Sequence, residues 1–173
     1  MKAGVVHAKN DIRYEEIDKP MAGPGQVLVK VKYTGICGSD IPRVNGDACH
    51  FFPNVLGHEF SGTVEETGEG VTTLKPGDRV AGVPLVPCMK CEDCQKGNYS
   101  LCKHYSFIGS RQFGSFAEYV AMPEKNLVKF DDEVSLNRAR SLSRLRWLCT
   151  ACSGAITRAE RPWRSWAAVP WEC

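Results

Sequence analysis

The chain has 173 residues, of which 43% are apolar and 24% charged, and its formal charge is +2 from 22 basic and 20 acidic side chains. This is ordinary globular composition, which excludes collagen-like, coiled-coil and wholly disordered readings, and the near balance of charge argues against nucleic acid as a partner. No apolar stretch approaches the about 20 residues of a membrane helix, and residues 1–13 hold only a short apolar patch between charges, so neither an anchor nor a secretory leader is expected and the chain reads as cytoplasmic.

In chain order, the first long β-branched run is residues 26–33 (QVLVKVKY), introduced by Pro24-Gly25. Runs at residues 61–66 and 79–83 follow, the second behind Pro76-Gly77-Asp78. Short runs between such turn pairs predict a mainly β chain with a closed or sandwich-like antiparallel sheet, and helical periodicity is nearly absent.

Nine cysteines are many for a reducing compartment and point to metal or redox chemistry. Cys37 lies in GICGSD, and His58 with Glu59 in GHE. A thiolate, an imidazole and a carboxylate are the ligand types of a catalytic zinc, which keeps one position open and can polarise an alcohol oxygen. Beside them, Ser39 is placed to pass on a proton and Asp40 to accept the free N–H of His58. Each residue also has a plainer reading: Cys37 as a small buried apolar side chain, His58 as a core histidine, Glu59 as surface. Cys49, His50, His7 and His104 have no partner at a telling spacing and are read as structural.

Cys88, Cys91, Cys94 and Cys102 follow as C-x2-C-x2-C-x7-C. Four thiolates so spaced can complete a tetrahedron around zinc, a closed site with a structural role. An iron–sulfur run is the alternative, but its bacterial form has a last gap of three and a following Pro, against seven here.

After Asn137 the composition breaks. Residues 1–137 hold all 11 Lys, four Arg and 18 acidic residues, whereas residues 138–173 hold seven Arg, no Lys, two Glu and all four Trp. These 36 residues have neither a period of 2 nor a sustained 3.6, and are expected to be disordered.

Taken together the motifs resemble those of the zinc-dependent medium-chain dehydrogenases. The segment Gly57-His58-Glu59-x2-Gly62-x5-Gly68-x2-Val71 matches that family's zinc signature in full, and GICGSD and the four-cysteine loop stand in the family's order. The resemblance covers residues 1–137 and implies a GroES-like β-barrel catalytic domain. It further implies a catalytic zinc on Cys37, His58 and Glu59, a structural zinc on the four cysteines, and a homo-oligomer. CGSDIPR, VPLVPC and YSFIGSRQFGSFAEY are similar to the polyol-phosphate branch. That similarity implies oxidation of a secondary alcohol of a small-molecule polyol phosphate with NAD, with Arg43 and Arg111 as candidate phosphate contacts because a guanidinium can grip phosphate bidentately.

Two family features are missing. Ser143-Arg144 stand where a Glu-Pro pair is expected, and no G-x-G-x-x-G dinucleotide fingerprint occurs in the 173 residues, so the Rossmann domain is absent from them. Read one frame out of phase, Trp166-Ala167 and Trp171-Glu172 each force a glycine. The two are five residues apart, as the first and third glycines of that fingerprint are. The expectation is therefore an out-of-frame tail on a catalytic domain, truncated and inactive by itself, with NAD bound only by the intact parent. A zinc-stabilised binding or regulatory module is the alternative.

Overall fold

The computed structural model describes residues 1–46 and 48–141. Strands β1 (Lys2–Ala8) and β2 (Asp11–Glu16) form a hairpin whose turn uses Asn10 at φ 59°. The long strand β3 (Gln26–Gly35) leads to the short helix α1 (Asp40–Val44) and to β4 (Asn54–Val55). Next come β5 (Glu59–Thr67), β6 (Arg79–Gly82) and β7 (Leu85–Val86), then a lobe holding α2 (Glu92–Gln95) and a 3-10 turn at Tyr99–Leu101. Strands β8 (Ser106–Phe107), β9 (Tyr119–Pro123) and β10 (Leu127–Lys129) and helix α3 (Leu136–Ala139) complete the described chain.

Every strand pairing is antiparallel. A five-stranded sheet runs β10-β6-β5-β3-β9, a three-stranded sheet runs β2-β1-β4, and β7 pairs with β8. The extended segment before β9 joins the two larger sheets. Gly4 N donates to Phe116 O (2.7 Å) and Glu118 N to Lys2 O (3.1 Å), while Val31 N donates to Glu118 O (2.8 Å). One segment thus bonds β1 on one side and β3 on the other, and the sheet curls into a half-barrel, the mainly β GroES-like architecture expected from the sequence.

The predicted strand runs are present, with β3 extended by two residues at its C-terminal end and β5 by two residues at its start and one at its end, where neighbours continue the ladder. Val27, Leu28 and Val29 are all fully buried. The strand is covered on both faces there, which is why its sequence is continuously apolar instead of alternating. Val27 and Val29 join Phe60, Val64, Val80, Ile108, Val120 and Met122 in the main core, and a smaller core of Ala3, Val5 and Val55 lies under β1. Backbones approach closely where β3 crosses β5: a Cβ on Gly62 would stand 2.1 Å from Lys30 O.

Helix α3 starts at an N-cap, Ser135, whose hydroxyl accepts from Arg138 N at 3.3 Å. The buried Ser61 hydroxyl on β5 donates to Leu136 O, and Ala139 is buried. The division expected after Asn137 falls inside this helix. The rest of the expected tail, with Ser143, Arg144, the four Trp, Cys149, Cys152 and Cys173, lies outside the described residues. No helix among the described residues is long and apolar enough to cross a membrane.

One loop is closed by a single carboxylate. Glu124 Oε1 accepts from Thr72 N (3.0 Å), Thr73 N (2.6 Å), Thr73 Oγ1 (2.7 Å) and Leu74 N (3.2 Å). These donors, the Thr73 hydroxyl first, hold its carboxyl below the ordinary glutamate value. With the folded pKa depressed, the stabilisation is present above the unfolded value near ~4.3 and is lost as pH falls through the folded one. Glu124→Gln is therefore expected to lower the urea midpoint at pH 7 and to leave it nearly unchanged at pH 2. An equal loss at both pH values would contradict the carboxylate's role.

Candidate functional site

The ladder itself assembles the first cluster. Gly35 at the end of β3 pairs with Glu59 at the start of β5, so the residues just beyond, Cys37 on one side and His58 on the other, converge. The ligand atoms of Cys37, His58 and Glu59 all lie within 4.8 Å of one another. His58 and Glu59 are buried, at 6% and 5% exposure, and Cys37 is half-buried, so the group opens on the thiol side. Gly57, at φ +90°, turns the chain into this position; a Cβ there would strike the Phe116 ring at 2.6 Å. At Gly35 a Cβ would stand 2.9 Å from both Glu59 Oε2 and Arg140 Nη1, so its bare backbone makes room for these two side chains.

Asp40, 2% exposed, ties the cluster together from behind. Its Oδ2 accepts from Cys37 N at 2.9 Å, and its Oδ1 faces His58 Nδ1 at 3.3 Å. Neither Oδ1 nor Nδ1 has a hydrogen-bond partner elsewhere among the described residues, which leaves His58 Nε2 for the centre. The Phe107 ring meets the imidazole edge-on at 5.5 Å between centroids. Burial opposes the Cys37 thiolate, but the Ser39 hydroxyl and backbone and the His58 ring outweigh it and lower the thiol's pKa. Burial likewise opposes a charged His58, yet Asp40, and after it Cys37, raise the imidazole above its ordinary value.

These donors fit a divalent ion. One soft and two harder ligands within 4.8 Å of one another can close on a zinc at bonds of about 2.0–2.3 Å with small side-chain movement.

The second cluster lies in the lobe between β7 and β8. Cys88, Cys91, Cys94 and Cys102 bring four sulfurs within 4.8 Å of one another. The Cys88–Cys94 and Cys91–Cys102 sulfur pairs are each 3.9 Å apart. A tetrahedron with Zn–S bonds of about 2.3 Å has edges of about 3.8 Å, whereas a disulfide would need about 2.05 Å. The spacing is that of a four-sulfur metal cage. Backbone N–H groups of Cys88 and Cys91 point at the Cys102 and Cys88 sulfurs, at 3.3 and 3.4 Å. The backbone around Lys90 and Cys91 lowers the Cys88 thiol to about 6, while burial and the neighbouring thiols push Cys94 up to about 12. Cys88 and Cys94, so unequal in acidity, resist joint ionisation until a cation joins them.

The remaining predicted residues divide. Arg43 is turned back on its own helix, with Nη1 bonded to Ser39, and only 16% of its side chain is exposed. Arg111 is exposed, its guanidinium 4.6 Å from the centre of the Tyr105 ring, and its backbone N donates to Phe107 O at 2.9 Å. His7 pairs with Glu15 at 2.7 Å, Cys49 donates to Phe51 O, and His50 and His104 are exposed. Sequence reasoning assigned no role to Phe107 or to Arg140. Phe107 lies inside the quoted motif YSFIGSRQFGSFAEY, but nothing in its spacing says that its ring meets His58. A surface cavity of about 600 Å³ lies apart from the Cys37 cluster, lined by Pro84, Leu85, Met89, Tyr99 and Pro123.

The sequence profile of the alcohol dehydrogenase GroES-like domain matches residues 23–132. The chain belongs to this family. Galactitol 1-phosphate 5-dehydrogenase of Escherichia coli (strain K12) is 52% identical over 102 residues, covering 59% of this chain and 30% of that protein. The crystal structure of galactitol-1-phosphate dehydrogenase from Escherichia coli superposes with a TM-score of 0.79 at 41% identity, over 82% of this chain and 41% of the other. The structure of a cobalt- and zinc-bound thermostable alcohol dehydrogenase from Pyrobaculum aerophilum does so with a TM-score of 0.77 at 33% identity, over 83% and 44%. The chain thus spans less than half the length of each of these proteins. The GroES-like fold, the zinc-dependent dehydrogenase family and the likeness to galactitol 1-phosphate 5-dehydrogenase are as the motifs implied.

Proposed function

We propose that this GroES-like chain is the catalytic domain of a zinc-dependent polyol dehydrogenase that oxidises a secondary alcohol of a polyol phosphate to a ketone with NAD. The observation that carries the reading is the convergence of Cys37, His58 and Glu59 at the β3–β5 junction, buried on the imidazole and carboxylate side and open on the thiol side. In this reading these three hold a catalytic zinc and the four cysteines a structural one. Zinc at the open centre would act as a Lewis acid on the alcohol oxygen. In the reaction the carbinol hydrogen leaves as hydride to NAD, giving NADH, and the hydroxyl proton leaves through Ser39. Asp40 keeps the His58 ring oriented, and the edge of Phe107 keeps water from its other side. Of the two candidate arginines, Arg111 is the better phosphate contact: it is exposed and steadied on the Tyr105 ring, whereas Arg43 is already committed to Ser39.

The test is to load the chain with cobalt(II) and titrate it with galactitol 1-phosphate and with galactitol, following the cobalt absorption bands. The phosphate ester is expected to perturb the bands at lower concentration. Arg111→Ala should reduce that preference about tenfold, the worth of one charged hydrogen bond. Equal responses to the two polyols would refute the phosphate assignment, and cobalt uptake confined to the four cysteines would refute the open centre.

A further inference from the structure

One turn beyond Ser39, helix α1 carries a guanidinium that points into the site from behind. Arg43 Nη1 donates to both the carbonyl and the hydroxyl oxygen of Ser39, each at 2.8 Å, and stands 3.7 Å from Asp40 Oδ1. Its Nε is buried without a hydrogen-bond partner among the described residues. A serine hydroxyl has one hydrogen to donate and lone pairs to accept with. Because Nη1 occupies the acceptor side, the hydroxyl hydrogen is directed away from the guanidinium. Asp40, held on its other oxygen by Cys37 N and facing His58, is a carboxylate at 2% exposure, and a neighbouring cation offsets the cost of burying it. One cation therefore touches the two residues that in turn touch two of the three candidate ligands.

We propose that Arg43 is a positioning residue of the Cys37–His58–Glu59 centre, fixing the Ser39 hydroxyl and the Asp40 carboxylate instead of reaching out to substrate. The inference rests on reading that centre as a metal site. It explains why the guanidinium is folded back over its own helix, and it takes Arg43 out of the set of phosphate contacts. Residues that orient metal ligands from behind typically govern affinity by ~10–100-fold, and Arg43 belongs to that class.

Cobalt(II) titration of the whole chain separates the possibilities, because the four-cysteine centre is an internal control for folding. The bands of the open centre are identified by their loss in Cys37→Ala. Arg43→Met is expected to weaken cobalt binding at the open centre by tenfold or more, to alter its band intensities, and to leave uptake by the four cysteines unchanged. Arg43→Lys, which keeps the charge and the donors, should recover most of the loss. Arg43→Met and Ser39→Ala should be non-additive, since they break one bonded pair. Wild-type affinity in Arg43→Met, or strictly additive losses, would overturn the proposal. Should Arg43→Met lose both centres together, its fold has failed, and Arg43→Lys with Ser39→Ala decides by the same criteria. No cobalt at the open centre of the unmutated chain would overturn the metal reading itself, and this inference with it.

Discussion

Cys94→Ala is expected to lower the zinc content by one equivalent per chain and to unfold the lobe between β7 and β8 while leaving the half-barrel intact. The lobe has little else to hold it. Its four sulfurs lie within 4.8 Å of one another, two pairs of them at 3.9 Å, and its regular structure amounts to α2, of four residues, and one 3-10 turn. Cys94 and Cys102 are buried in it, while Met89, Tyr99 and Leu101 are exposed. Structural zinc contributes ~10–16 kcal/mol of apparent folding free energy in small zinc peptides, so losing one of four thiolates forfeits several kcal/mol where no core compensates. Elemental analysis reads the metal, and limited trypsin digestion at Lys90, Lys96 and Lys103 reads the lobe. Unchanged zinc content, or a lobe as resistant as before, would mean that the cage is not what holds it.

Gly62→Ala should cost about 3 kcal/mol or more of global stability, a large part of the total for a domain of this size. The added Cβ would lie 2.1 Å from the carbonyl oxygen of Lys30 and 2.9 Å from its carbon, both backbone atoms of the neighbouring strand. Neither can rotate away, so β3 and β5 must separate, and with them the junction that brings Cys37 to His58. Gly38→Ala is the matched control, because nothing stands within 4 Å of its Cβ position. Urea unfolding midpoints of the two variants should differ clearly. A small loss in Gly62→Ala would mean that the sheet relaxes more readily than a paired ladder should.

The same glycine marks what could be read before any coordinates. Gly57, Gly62 and Gly68 were visible in the chain as a spaced pattern, and the structure supplies a reason for each. Gly57 turns at positive φ beside Phe116, Gly62 lies under Lys30 O, and a Cβ on Gly68 would stand 1.9 Å from Gly23 O. The strand runs were legible because valines recur between turn pairs: 27–29 are apolar without a break where both faces are covered, and Val alternates with Lys over 29–32 where one face meets solvent. The four-cysteine cluster was legible because its members are close in sequence and of one type.

The roles of the two arginines were not legible. Arg43 and Arg111 look alike in the sequence, each a guanidinium in a family motif, and only the tertiary structure separates them. One is folded onto Ser39 beside a buried carboxylate, the other exposed on Tyr105. The sequence by itself determined the local quantities: ligand types, short spacings, turn chemistry and strand periodicity, all of which act over a few residues. The tertiary structure alone decided that β3 and β5 pair in the register that joins Cys37 to His58 and Glu59, and that the ring of Phe107 closes against His58. Those contacts link residues about 20 to 50 positions apart, and their distances depend on how paired strands bend and pack, which no local pattern encodes.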